Sequence, residues 1–340
     1  MASNPKAAGG LSRRDFLKVK VGTLSLAGAA GLAALGRKLV KGSETYLPII
    51  GAAGHEHHEM GTVGTVSSSD FDPIAFLSDF DWGVLTQEGG RAVRTYDLIA
   101  SDKEIEVAPG VFFPAWTYNG RVPGPTIRCR AGDWIRVRFV NAGSHPHTIH
   151  FHGIHPVPMD GIDPILPGGG FVYEFEAQPF GLHLYHCHAI PLKRHIHKGL
   201  YGAFIIDPPQ GRPAARELTM VMNGFDTNFD GENEVYAVNT VAFAYMHRPI
   251  PVAVGELVRI YLINATEFDP INSFHLHANM YKLFRTGTDL EHFELTDNVI
   301  MGQGERHVLE MVFPSPGRYM FHAHQSEFAE LGWMGFIEAA

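Results

Sequence analysis

The sequence predicts an all-β fold, two tandem Greek-key β-sandwich domains of about 120 residues each. Three observations carry this. The 340 residues are 45% hydrophobic and 19% charged, which excludes global disorder and supplies enough apolar side chain for two cores. The 37 Gly, 22 Pro and 23 Phe suit short strands joined by tight turns, and no heptad pattern runs long enough for a coiled coil. One passage also occurs twice: Gly132-Asp133-Trp134-Ile135-Arg136-Val137-Arg138-Phe139-Val140-Asn141 returns as Gly255-Glu256-Leu257-Val258-Arg259-Ile260-Tyr261-Leu262-Ile263-Asn264, matching in residue type from the Gly-acid start to the closing Asn. Such self-similarity marks an internal duplication.

The elements follow in chain order. Ser12-Arg13-Arg14-Asp15-Phe16-Leu17-Lys18 sets two arginines before a Gly/Ala-rich apolar run from Val21 to Leu35. Residues 1–41 read as a twin-arginine export signal, because the apolar run is shorter than the roughly 20 residues a membrane span needs. The expected destination is the periplasm, the cell surface or the extracellular space. Residues 42–90, rich in Gly, Ser and Asp, are expected to form a flexible linker, in which His55-Glu56-His57-His58-Glu59-Met60 could hold a metal only loosely. Strand-like runs begin after residue 90, at Tyr96 to Ile99, Ile105 to Val107, Thr126 to Arg128 and Trp134 to Val140, the last closed by an Asn141-Ala142-Gly143 turn. The first domain is placed at 91–210, ending in Pro208-Pro209-Gln210-Gly211, and the second at 211–340.

Charge and cysteine content narrow the function. Net charge is −9, but residues 1–41 hold eight Lys/Arg against one Asp, leaving 19 basic and 35 acidic residues, or −16, in the rest. An acidic body disfavours nucleic acid as a partner and favours cationic small molecules. Two cysteines, Cys129 and Cys187, exclude a disulfide framework though not a single bridge; Cys129, in a strand far from the histidine clusters, reads as a buried free thiol.

Histidine is the anomaly. Ten of the 20 lie between His145 and His197. The first copy carries His147-Thr148-Ile149-His150-Phe151-His152, then His186-Cys187-His188, then His195 and Leu200; the second carries His275-Leu276-His277 and His322-Ala323-His324. In a strand, residues two apart share a face, so each His-x-His presents two imidazoles together while Cys187 points the other way. Imidazole suits copper, and a thiolate with two histidines is the ligand set of a blue-copper electron-transfer centre. Structural zinc sites need only four ligands and favour several Cys, so eight paired histidines with one thiolate exceed them.

These motifs resemble those of the multicopper oxidases, over roughly residues 91–340. The family's His-x-x-His-x-His matches His147, His150 and His152, and its His-Cys-His matches His186, Cys187 and His188. The resemblance implies cupredoxin-like domains and four coppers per subunit. It implies a type 1 copper on Cys187, His147 and His195, with Leu200 in the axial position where a Met is often found. It also implies a trinuclear cluster, with His150 and His275 on the type 2 copper and His152, His186, His188, His277, His322 and His324 on the type 3 pair. Leu200 cannot coordinate, which implies a raised potential. His197 competes with His195 as a ligand, but the spacing from His195 to Leu200 fits the family.

The second copy departs from the pattern. Asn272 stands three before His275, Ala323 between His322 and His324, and Leu331 eight past Ala323, so all three type 1 positions are lost together. This resembles the two-domain oxidases with type 1 copper in domain one. The expected reaction is one-electron oxidation of a phenolic or metal-ion donor coupled to four-electron reduction of dioxygen to water. Asp160, in Met159-Asp160-Gly161, is the candidate proton relay, and Glu327 a weaker second.

Two alternatives stay open. Copper nitrite reductases share the architecture but have an Asp where this chain has His150 and no His at the 188 position; a non-enzymatic copper-binding or electron-transfer protein is the other. Two-domain relatives are trimers, which implies clusters shared between domain one of one chain and domain two of the next, at an interface closed by rotation. His145, His155 and His183 crowd the motifs and are candidates to orient the ligands. Asp226-Thr227-Asn228-Phe229-Asp230-Gly231 mimics a calcium loop, but Ala237 stands where its twelfth-position Glu is required, so a hairpin turn is expected.

Overall fold

A computed structural model describes the backbone of residues 64–66 and all of residues 71–340. The expected export signal and the His55–Met60 segment lie outside the described residues.

Each domain is a pair of packed sheets. In domain one a six-stranded sheet is built on the long strand Arg91–Ala108, which pairs with Trp134–Asn141 and so, in turn, with Gly170–Glu176. The facing sheet runs Phe80–Asp81, Thr126–Arg130, Tyr201–Asp207, Gly181–His186, His150–Phe151. Domain two repeats the second sheet as Ile250–Val252, Met334–Ala339, Gly317–His322, Ile271–Leu276, with Asn298–Gly302 added at the edge. Both histidine-bearing strand pairs therefore occupy the same place in their domains.

The duplicated strand shows how sequence becomes packing. In Trp134–Asn141 burial alternates, Ile135, Val137, Phe139 and Asn141 facing inward. Its copy Leu257–Asn264 is buried on both faces, because its outer side meets domain one. There Tyr261 and Ile263 join Phe113, Leu182, Tyr201 and Ile205 in an apolar cluster shared by the two domains. Buried charges close the same junction: Arg128 binds Asp207 at 2.9 Å and Glu217 at 2.6 Å, and Arg259 binds Glu217 at 2.9 Å and Glu310 at 2.6 Å. Each guanidinium meets two carboxylates, the condition under which buried ions are tolerated.

The linker expectation needs correction. Gly64–Val66 pairs in parallel with Lys103–Ile105. Pro73–Leu77 is helical, capped by Asp72, and its Leu77 is fully buried in the domain-two core. Phe80–Asp81 extends the second sheet of domain one, and Val84–Glu88 pairs with Arg91–Thr95. Gly, Ser and Asp weigh heavily in the segment's composition, but a few apolar anchors suffice to fix residues 71–90.

Candidate metal centres

The first centre forms where the strand Gly181–His186 ends. Cys187 follows it, its amide donating to the Leu200 carbonyl at 2.9 Å, and the helix Leu192–His197 folds His195 back over the thiol. Cys187 Sγ lies 3.2 Å from His195 Nδ1, which lies 3.2 Å from His147 Nδ1. The three donor atoms are all within 4.8 Å of one another, and all three side chains are buried. Burial pushes His147 down to about 3 and His195 to about 4, so both rings are neutral and offer lone pairs. Burial raises the Cys187 thiol, against which the backbone amides of Ala189 and Thr148 pull. A thiolate here needs a cation to balance it, and two neutral imidazoles with one sulfur fit a copper ion.

His197 does not compete for this position. Its Nε2 accepts from the Asp226 amide at 3.0 Å, and its ring packs between Phe113 and Phe268. The indole of Trp116 instead lines the centre, 4.7 Å from the His195 ring and 5.1 Å from His147.

Two histidine quartets face away from this centre. Strand register sets His150 opposite His186 in domain one and His275 opposite His322 in domain two. In domain one the ring centroids are 5.2 Å apart for His150–His152, 5.2 Å for His150–His186, 5.2 Å for His152–His186, 5.5 Å for His150–His188 and 6.2 Å for His186–His188. The counterparts in domain two are 4.8, 5.3, 5.0, 5.3 and 6.0 Å. The quartets are the same construction made twice.

Hydrogen bonds orient the rings. Nδ1 of His186, His322, His150 and His275 meets the carbonyls of Cys187, Ala323, Asp160 and Asp297 at 2.9, 2.6, 3.0 and 2.9 Å. A carbonyl can only accept, so Nδ1 carries the proton and Nε2 keeps its lone pair. Nε2 of His152 and His186 then approach to 3.1 Å, and those of His277 and His322 to 2.9 Å. Burial holds His152 near 3 and His186 near 4, which disfavours a proton between them. Converging neutral imidazoles are the donor set a copper ion takes. Among the described residues, no imidazole of one quartet touches the other quartet.

Family comparison agrees with this chemistry. Two multicopper oxidase family models match residues 100–211 and 212–339. The chain belongs to the multicopper oxidase family. A solved multicopper oxidase is 54% identical, with a TM-score of 0.78 over 79% of this chain and 97% of its own. The copper nitrite reductase of Nitrosomonas europaea is 26% identical, with a TM-score of 0.68 over 73% of this chain and 94% of its own. The copper-containing nitrite reductase of Neisseria meningitidis is 29% identical over 66% of this chain, which spans 63% of that relative's length. The cupredoxin-like fold and the family's use of copper follow from these matches.

Other expected residues sort clearly in this multicopper oxidase. Asp160 Oδ1 stands 3.0 Å from His150 Nδ1 and 3.6 Å from His155 Nε2. Glu327 is exposed on the short helix Ser326–Glu330, and among the described residues no hydrogen bond or ion pair joins it to a histidine. Leu200 is fully buried beside the centre, its amide donating to the His195 carbonyl at 3.3 Å. His145 packs on Trp116 at 4.5 Å, and His183 Nε2 meets the Pro179 carbonyl at 2.8 Å. Cys129 is buried and free, its thiol raised well above the usual range by burial.

Three contributors escaped sequence reasoning. Thr148 Oγ1 accepts from the His188 amide at 2.9 Å, and Ser273 Oγ accepts from the His324 amide at 2.7 Å. Asp297 Oδ2 lies 3.9 Å from His275 Nδ1, as Asp160 lies by His150. Aligning the two copies at His147 and Asn272 puts Thr148 on Ser273, a signal the sequence held. Asp160 and Asp297 reach their histidines from unlike loops, which no spacing could have matched.

Proposed function

We propose that this protein is a laccase-like multicopper oxidase that takes single electrons from a small donor and reduces dioxygen to water. The carrying observation is the pair of congruent four-imidazole sets, in which His150 and His188 complete the quartet that nitrite reductases leave short. Four coppers per subunit are expected, one on Cys187, His147 and His195 and three on the quartets. Bound copper would supply one-electron transfer at the first centre and dioxygen reduction at the quartets.

The residues' own tasks follow from their placement. Cys187 joins His186 and His188 covalently, and its carbonyl also accepts from His186 Nδ1, so a compact path links the buried centre to the domain-one quartet. Asp160, half-buried at the quartet's edge, can hold a proton at Oδ1 and pass it between solvent and the site. Trp116 and the apolar core around Cys187 exclude water.

The two quartets require a partner to meet. Ile154, Val157, Ile162 and Leu166 are exposed near the first, and Ile271, Leu295 and Ile300 near the second. We infer a homotrimer in which domain one of each chain faces domain two of its neighbour, burying both sets of apolar side chains in a ring of three clusters. The twin-arginine motif supports export to the periplasm or cell surface.

Oxygen uptake with phenolic and metal-ion donors, run beside a nitrite-reduction assay, tests the reaction. Oxygen consumption matched to donor oxidation is expected; nitrite turnover without oxygen consumption would overturn the reading in favour of a nitrite reductase. Mixing chains altered only at His186 and His188 with chains altered only at His275 and His277, after dissociation and reassembly, tests the ring. Recovery of activity is expected, and failure in well-assembled mixed trimers would place both halves of each site on one chain.

A further inference from the structure

We propose that a cleft outside both quartets is the docking site for an aromatic anion, a flat ring bearing a carboxylate or sulfonate, which delivers its electron to the Cys187 centre from there. The electron-delivery part rests on the oxidase reading; the binding part does not. The cleft, of about 540 Å³, lies between the helix that carries His195 and the Asp226–Gly231 loop of domain two. That volume suits a small organic molecule.

Its lining selects charge and shape. Lys193, Arg194 and Lys198 all border it, and among the described residues none of the three is in a salt bridge. Lys198 is 8% exposed, an unusual burial for a lysine in no salt bridge, with Asp102 acting on it only from a distance. Its Nζ lies 4.9 Å from the Phe113 ring and 5.1 Å from Phe229, while Lys193 Nζ sits 3.9 Å over Phe268. Phe229 is 57% exposed and holds a φ of 64°, so a large ring is kept in water on a backbone conformation that disfavours it. A bound ring covering Phe229 and Phe268 would relieve that exposure.

The acids in the wall are held within their own loop and form no ion pair with the three cations. Asp226 accepts from the amides of Asp230 at 3.1 Å and Gly231 at 2.8 Å, and Asp230 accepts from Glu232 at 3.0 Å. Glu267, near Lys193, is pushed up to about 7 by burial. By count the lining carries three cations against two carboxylates, a net of one positive charge, opposite in sign to the −16 that the chain beyond residue 41 carries and that favours cationic donors.

The cleft is linked to the Cys187 centre through Arg194 and Trp116. The Arg194 guanidinium lies 5.2 Å from the Trp116 ring, and Trp116 packs on His195 at 4.7 Å. A docked phenolate or hydroxyaryl anion would lose one electron along this path and, if protonated, its phenolic proton to water. Four such oxidations with four protons convert one dioxygen to two waters.

The test uses the copper-loaded full chain and 2-naphthalenesulfonate, which does not donate electrons, followed by titration calorimetry. The sulfonate should bind at least about tenfold tighter than the neutral methyl 2-naphthyl sulfone or the cationic 2-naphthylmethylammonium. Lys198→Met should weaken it about tenfold, and the surface variant Lys193→Gln should weaken it several-fold, with the circular dichroism of both unchanged. Equal binding of sulfonate and sulfone, or sulfonate binding indifferent to both variants, overturns the site. For 4-hydroxybenzenesulfonate as donor, Lys198→Met should raise KM with kcat unchanged; an unchanged KM overturns the delivery role. Lysine-dependent sulfonate binding in a protein that consumes no oxygen with any donor would refute the oxidase and leave the binding site standing.

Discussion

Domain one and domain two place the same strands in the same order, yet only one of them can build a thiolate centre. At the four equivalent positions domain one has His147, Thr148, Cys187 and His195, and domain two has Asn272, Ser273, Ala323 and Leu331. The domain-two residues are not passive. Asn272 donates to Thr266 Oγ1 at 3.0 Å, Ala323 is fully buried in the core, and Leu331 packs against that core. Where domain one keeps polar donors at the end of its core, domain two has filled the place with apolar packing and one amide network. The quartets differ much less, because strand register sets them and both copies keep it. Backbone pairing therefore preserves a paired-imidazole geometry more stubbornly than a set of three side chains from separate elements.

Breaking the difference is the largest effect. Cys187→Ala makes the domain-one position resemble Ala323; the blue thiolate absorption and donor oxidation should vanish, with copper content falling from four to three per chain by elemental analysis. Copper remaining at four, or an undiminished blue band, would remove the basis for assigning that centre.

The carboxylates at the quartets come next. Asp160→Asn should slow oxygen reduction by roughly 10²–10⁴-fold while leaving anaerobic bleaching of the blue band by donor intact. Asp297→Asn should cost less, since its carboxylate is farther from its histidine, at 3.9 Å against 3.0 Å. Equal effects in stopped-flow reoxidation would show the two acids to be interchangeable.

Thr148→Ala and Ser273→Ala sharpen the comparison further. Each removes the acceptor for a ligand's backbone amide, so quartet copper affinity should fall roughly 10–100-fold in both. Only Thr148→Ala should also shift the blue band, because the Thr148 hydroxyl lies 4.0 Å from Cys187 Sγ. A band shift in both would mean the centres communicate.

The smallest effect is in acid. In metal-free protein, burial depresses six domain-one histidines, His147, His152, His183, His186, His195 and His197, but only His277 and His307 in domain two. A depressed ring is neutral when folded and protonates on unfolding, so the unfolded state binds more protons between about pH 4 and 6.5 and stability falls as pH falls through that window. Lowering pH from 7.5 to 6 should cost about 1 kcal/mol or less per ring. Hydrogen exchange should show domain one loosening before domain two; simultaneous loosening would mean the shared interface governs both.

Much of this was legible in residue order. The Gly-acid-to-Asn repeat announced two domains, and His-x-His spacing announced paired imidazoles, because strand periodicity is local. The Asp72 cap and the Leu77 anchor were not, since in a segment rich in Gly, Ser and Asp a single buried leucine leaves no periodic trace. The choice of His195 over His197 was supported by spacing, but the reason is spatial: one helix turns His195 toward Cys187 and His197 toward the Asp226 amide.

By itself, then, the sequence determined the all-β class, the duplication, the paired histidines with their one intervening cysteine, and the absence of Cys and His from the equivalent positions of the second copy. These depend on residue identity and on a two-residue period that any strand imposes. The tertiary structure alone decided which carbonyl accepts from which ring and so fixes its tautomer, that Asp160 and Asp297 stand as counterparts, that the quartets of one chain lie apart, and that three lysine and arginine side chains converge on one cleft. Those outcomes join residues from unrelated elements, whose distances are set by how two sandwiches dock rather than by any interval along the chain.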